Sequence, residues 1–386
     1  MQNVTQNPFK KWQIYLAIFF ALGVTTYLLI RNFSRTEFVK VKATEGDYVW
    51  VDGNHNKSVD LHLSQDFKVS KNGNYTKQTA VEVLQKVDWN AHVFIWMFLA
   101  IFGMFGRDLA YMWRIRLLAK GKLSFKRSFF VIMLWEFASA LAPGVMSGAA
   151  VAMFILHREK IEMGRATAMV ILTAFFDNLF YVVFIPLLFL ILPATDLFPK
   201  DGDISHLSFV FWTGFSVFAV LCLVLFTSIF VYPKLFLKIG NGLKYLPFLK
   251  RFHSKAIQFG EDLELTARSF KQEHFGFWMK VFGATIISWS SRFFVINCIL
   301  QAFISLGFLQ HIQVFMKQFV LWMFLRVSPT PGGSGVAEWA FAELLSDYSS
   351  SLILLGTLAV FWRLISYYPY LIIGSVILPR WIAKKK

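Results

Sequence analysis

The chain has 386 residues, 56% hydrophobic and 18% aromatic, with a mean hydropathy of +0.53 and a formal net charge of +16. Soluble domains run at roughly 45–50% apolar, so the composition excludes an ordinary soluble fold, and the positive charge needs no nucleic-acid partner. Only two cysteines occur, Cys222 and Cys298, both within apolar stretches, which excludes a disulfide framework or a cysteine zinc site.

Residues 12–30, WQIYLAIFFALGVTTYLLI, follow Lys10 and Lys11. They are long for a signal-peptide core and lack a small-residue cleavage site, so an uncleaved first span is expected. Residues 31–90 are polar and are expected to form a modest external cap, with Asp52-Gly53 turning a small hairpin. Apolar segments follow at 91–112, 128–156, 167–192, 208–231, 277–304, 318–346 and 351–378. Two of them are interrupted, one at Pro143-Gly144 and the other between Pro329 and Gly333, where Pro331 also stands. Each half is about 10–15 residues, too short to cross roughly 30 Å of hydrocarbon at ~1.5 Å per residue. Broken backbone at membrane depth is tolerated only where protein or a wet cavity surrounds it. Both segments are therefore expected to be re-entrant hairpins. Between 233 and 275, lysines mixed with aromatic and aliphatic residues suit helices lying on the inner interface.

The charges orient this arrangement. With the N-terminus inside, 24 of the 39 lysines and arginines fall on the inner side, and loop 113–127 carries six of them and no acid. The expected fold is an all-α integral membrane protein with six full transmembrane helices and two oppositely oriented re-entrant broken hairpins, countable as eight spans. Repeat one covers 91–192, a linking helix and basic stretch cover 208–275, and repeat two covers 277–378 in inverted orientation. APGVMSGAA (142–150) resembles TPGGSGVAE (330–338). Opposed repeats with broken helices suit a binding site near the midplane.

Ionisable residues at bilayer depth mark candidate sites: Glu136, Asp177, Arg292, Arg326, Glu338 and Arg363. In one reading they form buried pairs that staple the bundle, such as Glu338–Arg363, Asp177–Arg292 or Asp177–Arg363. In the other, arginines hold a phosphate through their planar fork. The half-helix after Gly332, Gly333, Ser334 and Gly335 would then offer backbone N–H groups. Asp177 and Glu136 would orient the arginines. No phosphate-binding P-loop, HExxH or GxSxG motif occurs, the histidines are scattered, and DLE (262–264) is only a weak decoy for the acidic cluster of a glycosyl-transfer site. No enzyme activity, cofactor or metal is expected.

SPTPGGSGVAEWAFAELL resembles the PTPGG-x-G-x-x-E signature of the lysylphosphatidylglycerol synthase transmembrane, flippase-like family. Arg363 in AVFWRLISYYPYLIIG matches an arginine usual in that family's next helix, and VDWNAHVFIWMFLAIFGMFGRDLAYMWRIRLLAKG is similar to its opening helix and basic loop. The resemblance spans about residues 85–380, after an N-terminal helix (1–30) and an extracytoplasmic loop (31–90). It implies lipid handling, since some members translocate the product of an aminoacyl-lipid synthase and others are linked to polyprenyl-phosphate sugar pathways. Pro331, Gly332, Gly333, Gly335, Glu338 and Arg363 are the matching positions. The first repeat departs from the pattern, with Ala149 where a glutamate is usual and Asp177 without the arginine that commonly precedes it. The resulting expectation is a multi-pass inner-membrane protein with cytoplasmic termini that binds and flips a phosphate-bearing lipid. The alternative is a non-transporting scaffold for a separately encoded lipid- or glycan-modifying enzyme.

Overall fold

The computed structural model describes residues 36–383 except 43–44, 54, 56–58, 60, 62, 142–144, 199–204, 246–252, 329 and 350, together with seven isolated positions between 19 and 34. The expected first span at 12–30 lies almost wholly outside the described residues, and Pro143, Gly144 and Pro329 lie outside them entirely.

The polar segment 36–79 folds as a four-stranded antiparallel sheet, β1 (Thr36–Lys40), β2 (Gly46–Trp50), β3 (Phe67–Gly73) and β4 (Tyr75–Thr79), in the order β1-β4-β2-β3. Its small core stacks Phe38 on Phe67, 4.0 Å between ring centroids, with Tyr75 edge-on. Asp52 takes a left-handed φ of 47°, but β2 and β3 are joined by the whole of 51–66 rather than by a tight Asp52-Gly53 turn. A short helix α1 (Ala80–Gln85), closed by a Thr79–Glu82 capping box, leads toward the bundle.

The remaining described chain is helical. The bundle comprises α2 (Ala91–Leu118), α3 (Phe125–Leu141), α4 (Val145–Arg158), α5 (Met163–Leu188) and α6 (Ser205–Phe226). The last of these runs on as a π-helical turn, Thr227–Val231. Then come α7 (Leu235–Gly242), α8 (His253–Phe270), α9 (Phe275–Phe303), α10 (Phe308–Val327), α11 (Val336–Leu344), α12 (Leu352–Ser366) and α13 (Tyr368–Ala383). Among the described residues, five stretches are long and apolar enough to cross a membrane: Ala91–Leu118, Met163–Leu188, Ser208–Val231, Phe275–Phe303 and Leu352–Ala383. Five of the six expected spans fall on them. The last is not continuous: Tyr367 (φ −128°, ψ −55°) separates α12 from α13. Pro369 explains the break, because it lacks a donor and its ring crowds the preceding turn.

The centre of the bundle is an antiparallel pair, α2 against α9. Trp89 meets Phe303 at one end (5.8 Å), and Arg114 donates to Thr285 (3.0 Å) toward the other. Between them Gly103 and Gly106 bring the backbones close, since a Cβ on Gly103 would stand 3.2 Å from the Ser291 carbonyl. Two helical pairs pack around this axis. In α3–α4, a Cβ on Gly148 would stand 2.6 Å from the Ser139 hydroxyl, and Arg127 lies 3.8 Å from Glu159. The pair thus folds back with its outer ends together, beside the end of α2, where Arg165 donates to the Leu118 carbonyl. In α10–α11, Phe324 meets Trp339 at 6.1 Å and Lys317 holds Asp347 at 2.5 Å. Lys317 also donates to the Phe198 carbonyl, beyond the end of α5. The two pairs therefore fold back at opposite ends of the bundle.

The sheet docks at the Phe198 end through Glu37, which is 1% exposed. Its carboxylate accepts from the Leu352 and Ile353 backbone N–H groups (3.1 and 2.9 Å) and from the Ser351 hydroxyl (3.1 Å). An acid from the sheet thus occupies the positive end of α12. At the other end, α8 packs on α5 near Gly164, and Lys120 pairs with Glu273.

Candidate functional site

A seam of ionisable side chains runs through the middle of the bundle. On α2, Arg107, Tyr111 and Arg114 are spaced four and three apart, which places them on one helical face. The Tyr111 ring lies between the two guanidiniums, 4.5 Å from Arg107 and 4.3 Å from Arg114. Arg107 is fully buried. It contacts Asp108 at 2.6 Å, donates to the Tyr370 hydroxyl at 2.9 Å, and pairs with Glu136 of α3. The second Glu136 oxygen accepts from Arg292 of α9 at 3.3 Å. Glu136 thus joins two arginines from two helices, and Arg292 in turn lies over the Trp322 ring at 4.6 Å.

Asp177 of α5 is held by Arg114 (2.6 Å) and by the Trp289 indole N–H (2.9 Å). Pairs at Asp177–Arg292 or Asp177–Arg363 do not form. The reason lies in helix length. The expected helix ends at 112, but α2 continues to Leu118 and brings Arg114 into the core, where it is 1% exposed. Arg114 belongs to the seam rather than to a basic loop.

The second seam group surrounds the tip of the α10–α11 pair. Pro331 to Gly333 form a tight turn in which Gly332 and Gly333 have φ of +57° and +69°. A Cβ on Gly332 would lie 2.2 Å from the Tyr367 ring, so both sterics and backbone conformation demand glycine there. Gly335, at φ +86°, precedes α11, and its N–H donates to Glu338 at 2.7 Å. The other Glu338 oxygen lies 3.3 Å from Arg363 of α12, which is 4% exposed. The helix start is therefore already capped by an acid of its own first turn, and not free as the glycine run suggests. Arg363 lies on the face of Tyr367 at 3.7 Å and donates to Ser334. The Tyr367 hydroxyl donates to the Ala140 carbonyl at the end of α3, so the tips of the two helical pairs meet at this residue.

Arg326, in the last turn of α10, differs from the other seam arginines. It donates to the Asn178 side-chain carbonyl at 2.7 Å and lies over Tyr181, Phe218 and Trp289 at 4.2, 5.2 and 5.5 Å. Among the described residues no carboxylate comes within ion-pair distance of it. The seam holds five arginines (107, 114, 292, 326, 363) and four carboxylates (108, 136, 177, 338), leaving one unmatched positive charge. Arg107, Asp108, Arg114, Asn178 and Tyr370 were not singled out from sequence. The Arg107–Tyr111–Arg114 spacing was the available signal.

The family model for the lysylphosphatidylglycerol synthase TM region matches residues 77–374. A UPF0104 membrane protein of Archaeoglobus fulgidus is 21% identical over 300 residues, covering 73% of this chain and 85% of that protein. No solved structure matches.

Proposed function

Since the chain belongs to the lysylphosphatidylglycerol synthase TM-region family of membrane proteins, we propose that it binds a phosphate-bearing lipid, a phospholipid or a polyprenyl-phosphate carrier, and passes it between leaflets without covalent chemistry. Arg326 carries this reading. A guanidinium enclosed by aromatic faces and lacking a carboxylate suits a phosphate oxygen, which its planar fork can take in two hydrogen bonds. Asn178 fixes its orientation, and Arg363 is the second headgroup candidate. In this proposal the α3–α4 and α10–α11 pairs are re-entrant hairpins entering from opposite faces of an inner membrane. The basic face and both termini are cytoplasmic.

The test is mass spectrometry of lipids retained by gently purified protein. Wild type is expected to enrich a phosphate-bearing lipid, and Arg326→Ala to lose it at least about tenfold while keeping its unfolding temperature, roughly 1.4 kcal/mol of binding. Equal bulk lipid in both proteins sinks the headgroup site.

A second reading, a scaffold for a lipid- or glycan-modifying enzyme, has one observation in its favour. Ala149 of α4 supplies no carboxylate where the resemblance places a glutamate in the first repeat. Retained lipid without leaflet exchange of a fluorescent phospholipid in reconstituted vesicles favours that reading.

A further inference from the structure

The tip of the α10–α11 pair is built as an anion site, and the chain fills it with its own carboxylate. Three features converge there. The first is the start of α11, whose Gly335 N–H points at Glu338. The second is a run of glycines at positive φ, Gly332, Gly333 and Gly335, of which Gly335 has nothing within 4 Å of where a Cβ would stand. The third is Arg363, buried to 4% exposure and contributed by a different helix. A carboxylate has only two oxygens to offer this set. One accepts from Gly335, and the other sits 3.3 Å from the Arg363 Nε but out of hydrogen-bond alignment. The Arg363 Nε is left without a hydrogen-bond partner, although the residue is only 4% exposed. A buried donor left unpaired is destabilising, so the tethered acid satisfies this site incompletely.

We propose that this tip is a phosphate site in which Glu338 is a stand-in, displaced when a phosphate-bearing headgroup arrives. Phosphate brings more acceptor oxygens than a carboxylate and can serve Gly335, Ser334 and the idle Arg363 Nε together. Carboxylate and ligand compete for the same donors, so the native acid lowers affinity. The exchange frees Glu338 and releases one of the contacts that closes the tip. This inference rests on the lipid reading above and adds a second phosphate position, distinct from Arg326, with a built-in competitor.

The experiment is calorimetric titration of the full-length protein in detergent, with dioctanoyl phosphatidylglycerol and, separately, inorganic phosphate. Glu338→Gln keeps an oxygen for the Gly335 N–H but removes the competing charge. It is expected to bind the lipid about tenfold more tightly than wild type, and Arg363→Gln in the same chain is expected to abolish the gain. A gain with lipid alone identifies the lipid headgroup as the ligand, and a gain with inorganic phosphate too identifies the phosphate group itself. Both support the exchange. Glu338→Asp, which retracts the carboxylate by one methylene, should move affinity in the same direction by a smaller factor, and it serves if the glutamine variant does not fold. Unchanged or weaker binding by the folded variants overturns the inference. If wild type binds and Arg326→Ala does not, that failure is confined to Glu338. If no variant binds, the lipid reading fails with it.

Discussion

Arg107 shows how much of the interior depends on single charges. Its guanidinium is fully buried and serves Asp108, Glu136 and the Tyr370 hydroxyl. Removing one partner of a buried ion pair costs about 3–5 kcal/mol, because the other charge stays behind. Arg107→Met should therefore lower unfolding free energy by about that amount, read from thermal or denaturant unfolding in detergent. Adding Glu136→Gln should restore part of the loss, because the stranded acid is removed. Strict additivity would disprove the coupling. From sequence, Glu136, Asp177, Arg292, Glu338 and Arg363 stood out because charge is rare at such depth. Of the pairings expected among them, Glu338–Arg363 forms, whereas Asp177 takes neither Arg292 nor Arg363. Pairing depends on rotation and register between helices far apart in the chain, and Glu136 reaches Arg292 across 156 positions. Arg114 was sorted into a loop because hydropathy falls at its neighbours while the helix continues.

At the scale of elements, the broken α10–α11 pair was legible, because Pro331 and the glycines around it cannot continue a helix. The break at Tyr367 was equally written, in Pro369, but a long apolar run masked it. That break matters to the tip, since it turns the Tyr367 ring onto Gly332. Gly332→Ala must place its methyl 2.2–2.4 Å from that ring and hold a left-handed φ. The backbone term alone is about 1–2 kcal/mol. The variant should unfold at lower temperature than Gly242→Ala, where a Cβ meets nothing within 4 Å. Equal stability would show that Tyr367 moves aside at little cost. The capping of α11 by Glu338 was not legible, because the same glycines predict an open helix start.

For the whole molecule, sequence pattern placed the described helices that are long and apolar enough to cross a membrane and the polar segment before them, but not the sheet into which that segment folds. Its strands are short and its core is three aromatic rings. Nor could pattern reveal that Glu37 would reach the start of α12, more than 300 positions later. The unmatched charge of the central seam has a consequence at this scale. With five arginines against four carboxylates among the described residues, the seam carries one formal positive charge, which the proposed singly anionic headgroup would neutralise. Moving one charge through a full membrane potential is worth about 2.3 kcal/mol per 100 mV. The loaded step should therefore be indifferent to voltage, while the return of the empty site should be driven or opposed by it. In vesicles holding a potassium diffusion potential, exchange of labelled lipid between two loaded leaflets should proceed at a rate independent of voltage. Net transport into an acceptor-free leaflet should change severalfold when the potential is reversed. If both rates follow the voltage alike, the headgroup does not cancel the charge of the seam.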